Sequence, residues 1–429
     1  MLAEVKLCGE LYKAIDHFFP GLICLLKQVH DPRHQSYVVY GNHVLLMTRI
    51  LSAIFYTSSM REASAEFNCQ TAIENIGRLC GEDLEEVPYW ETINNYLVRV
   101  DPDELQKVLH ELVRRLVRSK AFNEARVRGK YWQVIVDGTQ LASSSKGLDG
   151  ECLFRIHNRG KDTEYRECYY YVLEAKVVLH ANVHVSIMTE FVENKDSEAV
   201  KQDCERAACW RLMERLKKAF PRMPICMSGD SLYACQGFFD GCRDRGWRYI
   251  LRYKEGSIPS VMDEFQASKN LYKHRRESVR EGAACWHDYV EGIKYRGHRL
   301  NVAEYGGSDV AYPLYYVTDL PISEKNVENL VARGRMRWAI ENKGFNAQKN
   351  HGFNICHLFS RNCTGMKNHY YLIQVGHMIA QVMDSWAALW KGVKQSVKQK
   401  HRRLLESWKT DRLSELIPKI PERFQIRLE

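Results

Sequence analysis

Residues 132–138 read WQVIVDG, an apolar run that ends in an acid and a glycine. The run is short and rich in β-branched residues, so it predicts a buried strand rather than a helix. Asp137 then stands at the end of a strand that should be covered on both faces. Burying a carboxylate without a partner is costly, and the position therefore requires a cation or hydrogen-bond donors nearby.

The chain after this run alternates between strand and helix patterns. β-rich runs at 169–180 and 184–193 complete an antiparallel meander with the first strand. Helical spacing then alternates with short apolar runs, which predicts two helices and two more strands. These four elements are expected at 197–220 (helix), 224–228 (strand), 232–245 (helix) and 247–252 (strand). The order β-β-β-α-β-α-β predicts the α/β class, with an RNase H-like mixed β-sheet flanked by helices.

A second acid occupies the same kind of place. Asp230 follows the predicted strand 224–228 and stands beside Gly229. The first and fourth strands are neighbours in this fold, so Asp137 and Asp230 should approach each other. Two close carboxylates repel each other unless a cation lies between them, and hard oxygen ligands suit Mg²⁺ or Mn²⁺. Alternatively, each Asp is a turn residue, because Asp is common beside Gly in turns.

A third acid lies on a later helix with a basic face. Ser323 is a candidate cap for a helix that should run through Glu341 to about Ala347. Arg333, Arg337 and Glu341 follow one another at intervals of four, which places them on one helical face. That face would present a metal ligand together with two phosphate clamps. The alternative is a surface salt bridge between Arg337 and Glu341.

The remaining segments suggest further parts. Helical spacing dominates 1–125, and a helix after Asp101 should have that residue as its N-cap and Pro102 at its first position. We expect five regions: a helical N-terminal domain for DNA binding or assembly (1–125), the catalytic domain in two parts (126–255 and 321–390), a β-rich insertion (256–320) and a peripheral basic C-terminal tail (391–429).

Composition narrows the class of protein. A formal net charge of +9 favours a polyanionic partner, because binding phosphates releases counterions. The 14 cysteines form no C-x-x-C pair and match no zinc spacing, so free thiols are expected. The first residues lack the pattern of a secretory signal, and no apolar run is long enough for a membrane span. These features predict an intracellular protein without a membrane partner.

Three short motifs resemble those of insertion-sequence transposases of the DDE type. They are VIVDGT with Asp137, GDSLY with Asp230 and Tyr233, and RWAIENKGFNAQK with Arg337 and Glu341. The last is similar to the Y-x2-R-x3-E-x6-K signature of one branch of that family. The signature Tyr falls at Gly334 and the signature Lys at Gln348, one residue before Lys349.

The resemblance implies a fold, a site and partners. Asp137, Asp230 and Glu341 would be catalytic residues that hold Mg²⁺ or Mn²⁺, in a two-ion site. The family contains members with a β insertion before the glutamate helix and a helical N-terminal region that binds end sequences. The partners would be double-stranded DNA and, in a synaptic complex, a second copy of the chain in the cytoplasm of a bacterium, on the nucleoid. Residues expected at the DNA are Arg337, Lys349, Arg333 and Tyr233.

The expected reaction is metal-dependent hydrolysis at transposon ends, followed by transfer of the freed 3′-OH into target DNA. One ion would lower the pKa of the attacking water and the other would stabilise the leaving 3′ oxygen. An RNase H-like nuclease without strand transfer would need the same three acids. A catalytically silent DNA-binding regulator would be expected to lack one of them. End sequence, target preference, any hairpin intermediate and the oligomeric state do not follow from the sequence.

Overall fold

The computed structural model describes most of the chain. The described ranges are 6–148, 152–194, 204–254, 256–271, 275–278, 282–286, 292–306, 310–390, 394–421 and 424–428, with only the backbone described for 269–271, 275–278, 282–286 and 387–388. Within them, helices at both ends of the sequence enclose a mixed sheet. No helix in those ranges combines the length and apolarity needed to cross a membrane.

The first 125 residues, where described, form helices, as predicted. They are α1 Leu7–Phe18, α2 Leu22–Lys27, α3 Asn42–Ile54, α4 Met60–Glu66, α5 Gln70–Cys80, α6 Trp90–Leu97, α7 Pro102–Arg118 and 3-10 helices at Gln35–Tyr37 and Lys120–Ala125. The predicted start of α7 is confirmed: the Asp101 carboxylate accepts the Asp103 N–H, and Pro102 follows as the first residue. Pro tolerates that position because the N–H it lacks would have no partner within the helix.

Eleven strands pair into one sheet in the described chain. They are β1 Trp132–Ser144, β2 Leu153–His157, β3 Tyr165–His180, β4 Val183–Val192, β5 Ile225–Gly229, β6 Arg248–Tyr253, β7 Arg275–Ser278, β8 Gly282–Trp286, β9 Ile293–Tyr295, β10 His298–Gly306 and β11 Leu314–Thr318. At its centre β1 pairs antiparallel with β3 and parallel with β5, and β6 continues parallel to β5. Besides β1, strand β3 pairs with both β2 and β4.

The predicted order of elements is confirmed from β1 to β6, with α8 Glu205–Ala219 and α9 Gln236–Asp244 as the two helices. The start of the helix predicted at 197–220 lies partly outside the described residues. Strand β2 was missed, and β1 and β3 are longer than expected. The two strands continue together for several residues beyond Gly138, because their pairing extends to Ser144.

The segment predicted as a β-rich insertion, 256–320, contains strands, and they extend the central sheet. β11 pairs with β6, and β10 pairs with β11, so the sheet runs on without a break. A turn at Gly297, with φ of 84°, joins β9 to β10. The helix α10 Pro259–Leu271 was not predicted, although Ile258, Val261, Met262 and Phe265 bury an apolar face at helical spacing.

The helix expected from Ser323 to Ala347 consists of four consecutive helical segments that differ in type. They are α11 Val327–Arg335, α12 Arg337–Ala339, a seven-residue π-helix Ile340–Asn346 and α13 Ala347–Asn350. The proposed cap is wrong: Asn326 occupies the N-cap position, and the Ser323 N–H donates to the side chain of Asn326.

The tail expected to be peripheral, 391–429, packs into the core where it is described. From Cys363 onward the helices are α14 Cys363–Asp384, α15 Ala387–Trp390, α16 Val397–Thr410 and α17 Leu413–Leu416, with a 3-10 turn at Ile417–Lys419, and α16 and α17 belong to the expected tail. α14 packs against α3, α7 and β4, and α16 packs against α1 and α5. Leu404 and Trp408 lie four residues apart on α16 and are almost fully buried. The basic residues of this segment concealed an apolar stripe.

Candidate active site

The two acids lie on neighbouring strands in matching positions, but only Asp230 follows a strand end. Asp137, predicted to close its strand, lies inside β1, which continues to Ser144. β1 and β5 run parallel with Ile135 beside Ser228. Continuing that register by two residues brings Asp137 beside Asp230, immediately past the end of β5. Because side chains alternate between the faces of a sheet, both acids point to the same face as Ile135 and Ser228. We call this face of the sheet the acid face.

The helix segment that carries Arg337 and Glu341 covers the acid face. The Gln133 amide donates to the Arg333 carbonyl at 2.7 Å and to Ser228 Oγ at 2.9 Å. Further along the strand, Ile135 packs with Ile340 of the π-helix. These contacts hold the helical segment against Gln133 and Ile135, four and two residues before Asp137. The side chains of Arg337 and Glu341 therefore lie near Asp137.

Asp137 is largely buried in its position within β1. Its side chain is 18% exposed, and its Oδ1 accepts the Gly138 N–H at 2.9 Å. Burial raises the pKa of Asp137 to about 7, with Arg337 opposing the rise and Glu341 adding to it. Because burial disfavours the charged form, a cation at this position would stabilise the carboxylate.

Arg337 supplies a cation to two of the three acids. Its Nη1 lies 2.8 Å from Glu341 Oε1 and 3.4 Å from Asp137 Oδ2. The buried Nε of the same guanidinium finds no acceptor among the described residues. One guanidinium therefore joins the helix acid to the strand acid and keeps a donor for a further oxygen ligand.

The π-helix that contains Glu341 packs on a buried polar layer. A Cβ on Gly344 would lie 3.2 Å from Lys176 Cε, so the helix approaches β3 closely at this glycine. Lys176 Nζ donates to Gln374 Oε1 at 3.0 Å, and Gln348 Nε2 donates to the same oxygen at 2.8 Å. Gln348 is fully buried, so the position of the family's signature Lys faces the protein interior here.

The position of the signature Tyr is also closed. A Cβ on Gly334 would lie 2.5 Å from Tyr316 Cε1, so any larger residue would collide with that ring. The two departures from the family pattern therefore have a common cause: both positions pack against neighbouring elements. Of the other expected DNA contacts, Arg333 and Lys349 are partly exposed, and burial lowers the pKa of Arg333.

Asp230 has a structural role of its own. It precedes the 3-10 helix Ser231–Tyr233, and its Oδ1 accepts the Leu232 N–H at 2.8 Å. Tyr233, expected at the DNA, is only 2% exposed and donates its hydroxyl to Glu205 Oε1 at 2.5 Å. In this arrangement Tyr233 supports the turn from inside the protein.

The carboxylates of Asp137, Asp230 and Glu341 do not form a closed metal centre in this structure. Among the described residues no group of three or more His, Cys, Asp or Glu side chains is close enough to hold a metal ion. The types of side chain nevertheless suit Mg²⁺ or Mn²⁺, since Asp137, Asp230 and Glu341 all offer hard oxygen ligands. The described cysteines are free thiols, as predicted.

An acid close to Asp137, Glu205, could not be recognised from the sequence as part of the site. Glu205, the first residue of α8, accepts hydrogen bonds from Tyr171 and Tyr233 on the opposite side of the sheet. Its charge also contributes to the raised pKa of Asp137. A glutamate at a helix start gives no sequence signal of such a role, because acids are common there. The only available hint was the glycine beside each aspartate.

No protein-family model matches the chain, and no curated protein matches it. Among solved structures, the chain is similar to a piggyBac transposase, determined by cryo-electron microscopy as a synaptic complex with hairpin DNA. The TM-score is 0.44 at 13% sequence identity, over 97% of this chain and 82% of the other.

Proposed function

We propose that the chain is a DNA transposase that hydrolyses phosphodiester bonds at transposon ends and joins the freed 3′-OH to target DNA. One observation carries the proposal. Asp137 within β1 lies beside Asp230, which follows the end of the parallel strand β5, and Arg337 links Glu341 to Asp137. In the proposal these three acids act together.

The sheet supports an RNase H-like assignment of this core. Its five strands β4-β3-β1-β5-β6 are adjacent in that order, with β3 antiparallel and β5 and β6 parallel to β1. The crossover helices α8 and α9 precede β5 and β6. This arrangement brings Asp137 of β1 beside the carboxyl end of β5, where an RNase H-like nuclease would need its acids.

In the proposed mechanism Asp137, Asp230 and Glu341 hold divalent ions, in a two-ion site. The ions would lower the pKa of the attacking water and offset the charge on the leaving 3′ oxygen. Arg337 has a planar fork with an unused Nε donor, which suits it to hold two oxygens of a phosphate. Arg337 would thus exchange its carboxylate partners for the DNA backbone.

The proposed partner is double-stranded DNA. The net charge of +9 favours it, and Arg333 and Lys349 lie on the same helical segment as Arg337. Both would contact phosphates rather than bases, and would therefore set position and not sequence preference. The helical N-terminal region would bind end sequences, and a homodimer on the bacterial nucleoid would hold two ends together.

The test is cleavage of DNA that carries the flanks of the protein's own gene, with Mg²⁺, Mn²⁺ or EDTA. Metal-dependent cuts at element ends, followed by joined products, would support the transposase. Cutting without joining would favour a nuclease without strand transfer, and binding without cutting would favour a silent regulator. The matched variants are Asp137→Ala, Asp230→Ala and Glu341→Ala, with the exposed acid Asp263→Ala as control.

A further inference from the structure

We propose that Glu205 is a positioning residue of the acid site, acting from the opposite face of the sheet. Its carboxylate holds the hydroxyls of Tyr171 and Tyr233 behind the two aspartates. The identity of the site rests on the proposed function, whereas the positioning itself is a property of the fold.

Two glycines make room for this cluster. Gly138 and Gly229 each stand next to one of the aspartates, and the alternation along a strand turns them to the face opposite the acids. A Cβ on Gly138 would lie 2.5 Å from Glu205 Oε2 and would collide with the Tyr171 hydroxyl. A Cβ on Gly229 would lie 2.6 Å from Cδ2 of Tyr233. The glycines therefore mark where the cluster presses on each strand.

One carboxylate ties three elements together. Glu205 Oε2 accepts the Tyr171 hydroxyl at 2.8 Å, and Oε1 accepts the Tyr233 hydroxyl at 2.5 Å. Hydrogen bonds to an ionised acceptor are roughly twice as strong as neutral ones. Burial, together with the charge of Glu205, raises the pKa of both tyrosines, so both remain donors. Strand β3, helix α8 and the 3-10 helix after β5 are thereby joined.

The consequence falls on the orientation of the aspartates. The Tyr233 ring packs on Gly229 while Asp230 caps the turn that contains Tyr233, so fixing the ring fixes the cap. On the other strand, Gly138 lies against Tyr171, directly after Asp137. Glu205 thus acts on the aspartates through the backbone, in addition to the effect of its charge on Asp137. Outer residues that orient ligands typically change metal affinity by about 10- to 100-fold when removed.

The experiment uses the full chain and two readouts. The affinity for Mn²⁺ is measured by electron paramagnetic resonance, and amide hydrogen exchange is followed over 136–141 and 228–234. Glu205→Ala is expected to weaken Mn²⁺ binding by about 10-fold and to speed exchange in both segments. Glu205→Gln should do less, because one acceptor oxygen remains for a tyrosine. Glu214→Ala, an exposed acid on the same helix, is the control and should change neither.

Separate outcomes judge the two proposals. If Glu205→Ala matches Glu214→Ala in both readouts, Glu205 does not position the site. If Glu205→Ala does not fold, Tyr233→Phe removes one of the two hydrogen bonds, and unchanged exchange over 228–234 would overturn the role. If the Mn²⁺ bound by the unmodified protein persists in Asp137→Ala, the proposed metal site fails, while hydrogen exchange still decides the positioning.

Discussion

β1 and β5 each bring an aspartate next to a glycine, but the two carboxylates are satisfied differently. Asp137 lies inside β1, which continues to Ser144, whereas Asp230 follows the end of β5 at Gly229. The first carboxylate is therefore enclosed, and its pKa rises to about 7 mainly through burial. The second accepts the Leu232 N–H and caps a short turn. The same two residue types thus occur inside one strand and at the end of another, and the environment decides which acid needs a cation.

The largest expected effect separates catalysis from capping. Asp137→Asn and Asp230→Asn should each lower DNA cleavage by on the order of 10³-fold, since each removes a charge from the reacting centre. Asn caps a turn as well as Asp does, so the second variant keeps its local structure. Single-turnover cleavage in Mg²⁺ measures both. Near-normal cleavage by Asp230→Asn would mean that Asp230 is only a turn residue.

Removing the shared cation should change the surroundings of Asp137 more than those of Asp230. Without metal, Arg337→Ala is expected to lower the free energy of unfolding by about 1–3 kcal/mol, because a buried carboxylate loses its partner. Mn²⁺ should then raise the melting temperature more in this variant than in the unmodified protein. Arg337→Lys keeps the charge and should lie between the two. Equal Mn²⁺ shifts in all three proteins would argue against a common site for cation and guanidinium.

The stability contributed by the buried polar layer around Lys176 of β3 should depend on pH. Burial lowers the pKa of Lys176 from 10.5 to about 8, although Glu174 opposes the shift. The folded state therefore disfavours charged Lys176, and its contribution to stability is present above pH 10.5 and lost as pH falls through about 8. Lys176→Met removes this dependence, so its melting temperature relative to the unmodified protein should fall as pH rises from 7 to 10. A difference that stays constant with pH would contradict a buried, titrating lysine.

The smallest effect concerns stability alone. Asp230→Ala removes the side-chain cap and should cost about 1 kcal/mol, measured by urea unfolding without metal. Asp137→Asn keeps the shape of the side chain and removes a charge that burial disfavours, so it should cost less or stabilise the protein. Equal losses in the two variants would show that the two aspartates do not differ as described.

The sequence predicted the parts that depend on local patterns. Short β-branched runs and helical spacing located β1 and β3 to β6, and the position of Asp230 after β5 followed from them, whereas Asp137 lies inside a longer β1 than predicted. The register of two parallel strands then brings the acids together without further information. The start of α7 was equally accessible, because Asp101 and Pro102 act on neighbouring backbone atoms.

The missed features depend on contacts between distant parts of the chain. The π-helix around Glu341 packs Gly344 on Lys176 of β3, a contact that helical spacing cannot reveal. Glu205 acquires its role only when β3 and the turn after β5 come to lie beside α8. In the C-terminal segment, the net positive charge predicted a solvent-exposed tail, whereas Trp408 is buried against the N-terminal helices.

The most direct measurement maps where a metal ion binds. Fe²⁺ substituted for Mg²⁺, with ascorbate and peroxide, produces radicals that cut the backbone near the bound ion, and the fragments are identified by mass spectrometry. Cuts close to Asp137, Asp230 and Glu341 that disappear in Asp137→Ala are predicted. Cuts elsewhere, or the same cuts in Asp137→Ala, would contradict a metal site formed by the three acids.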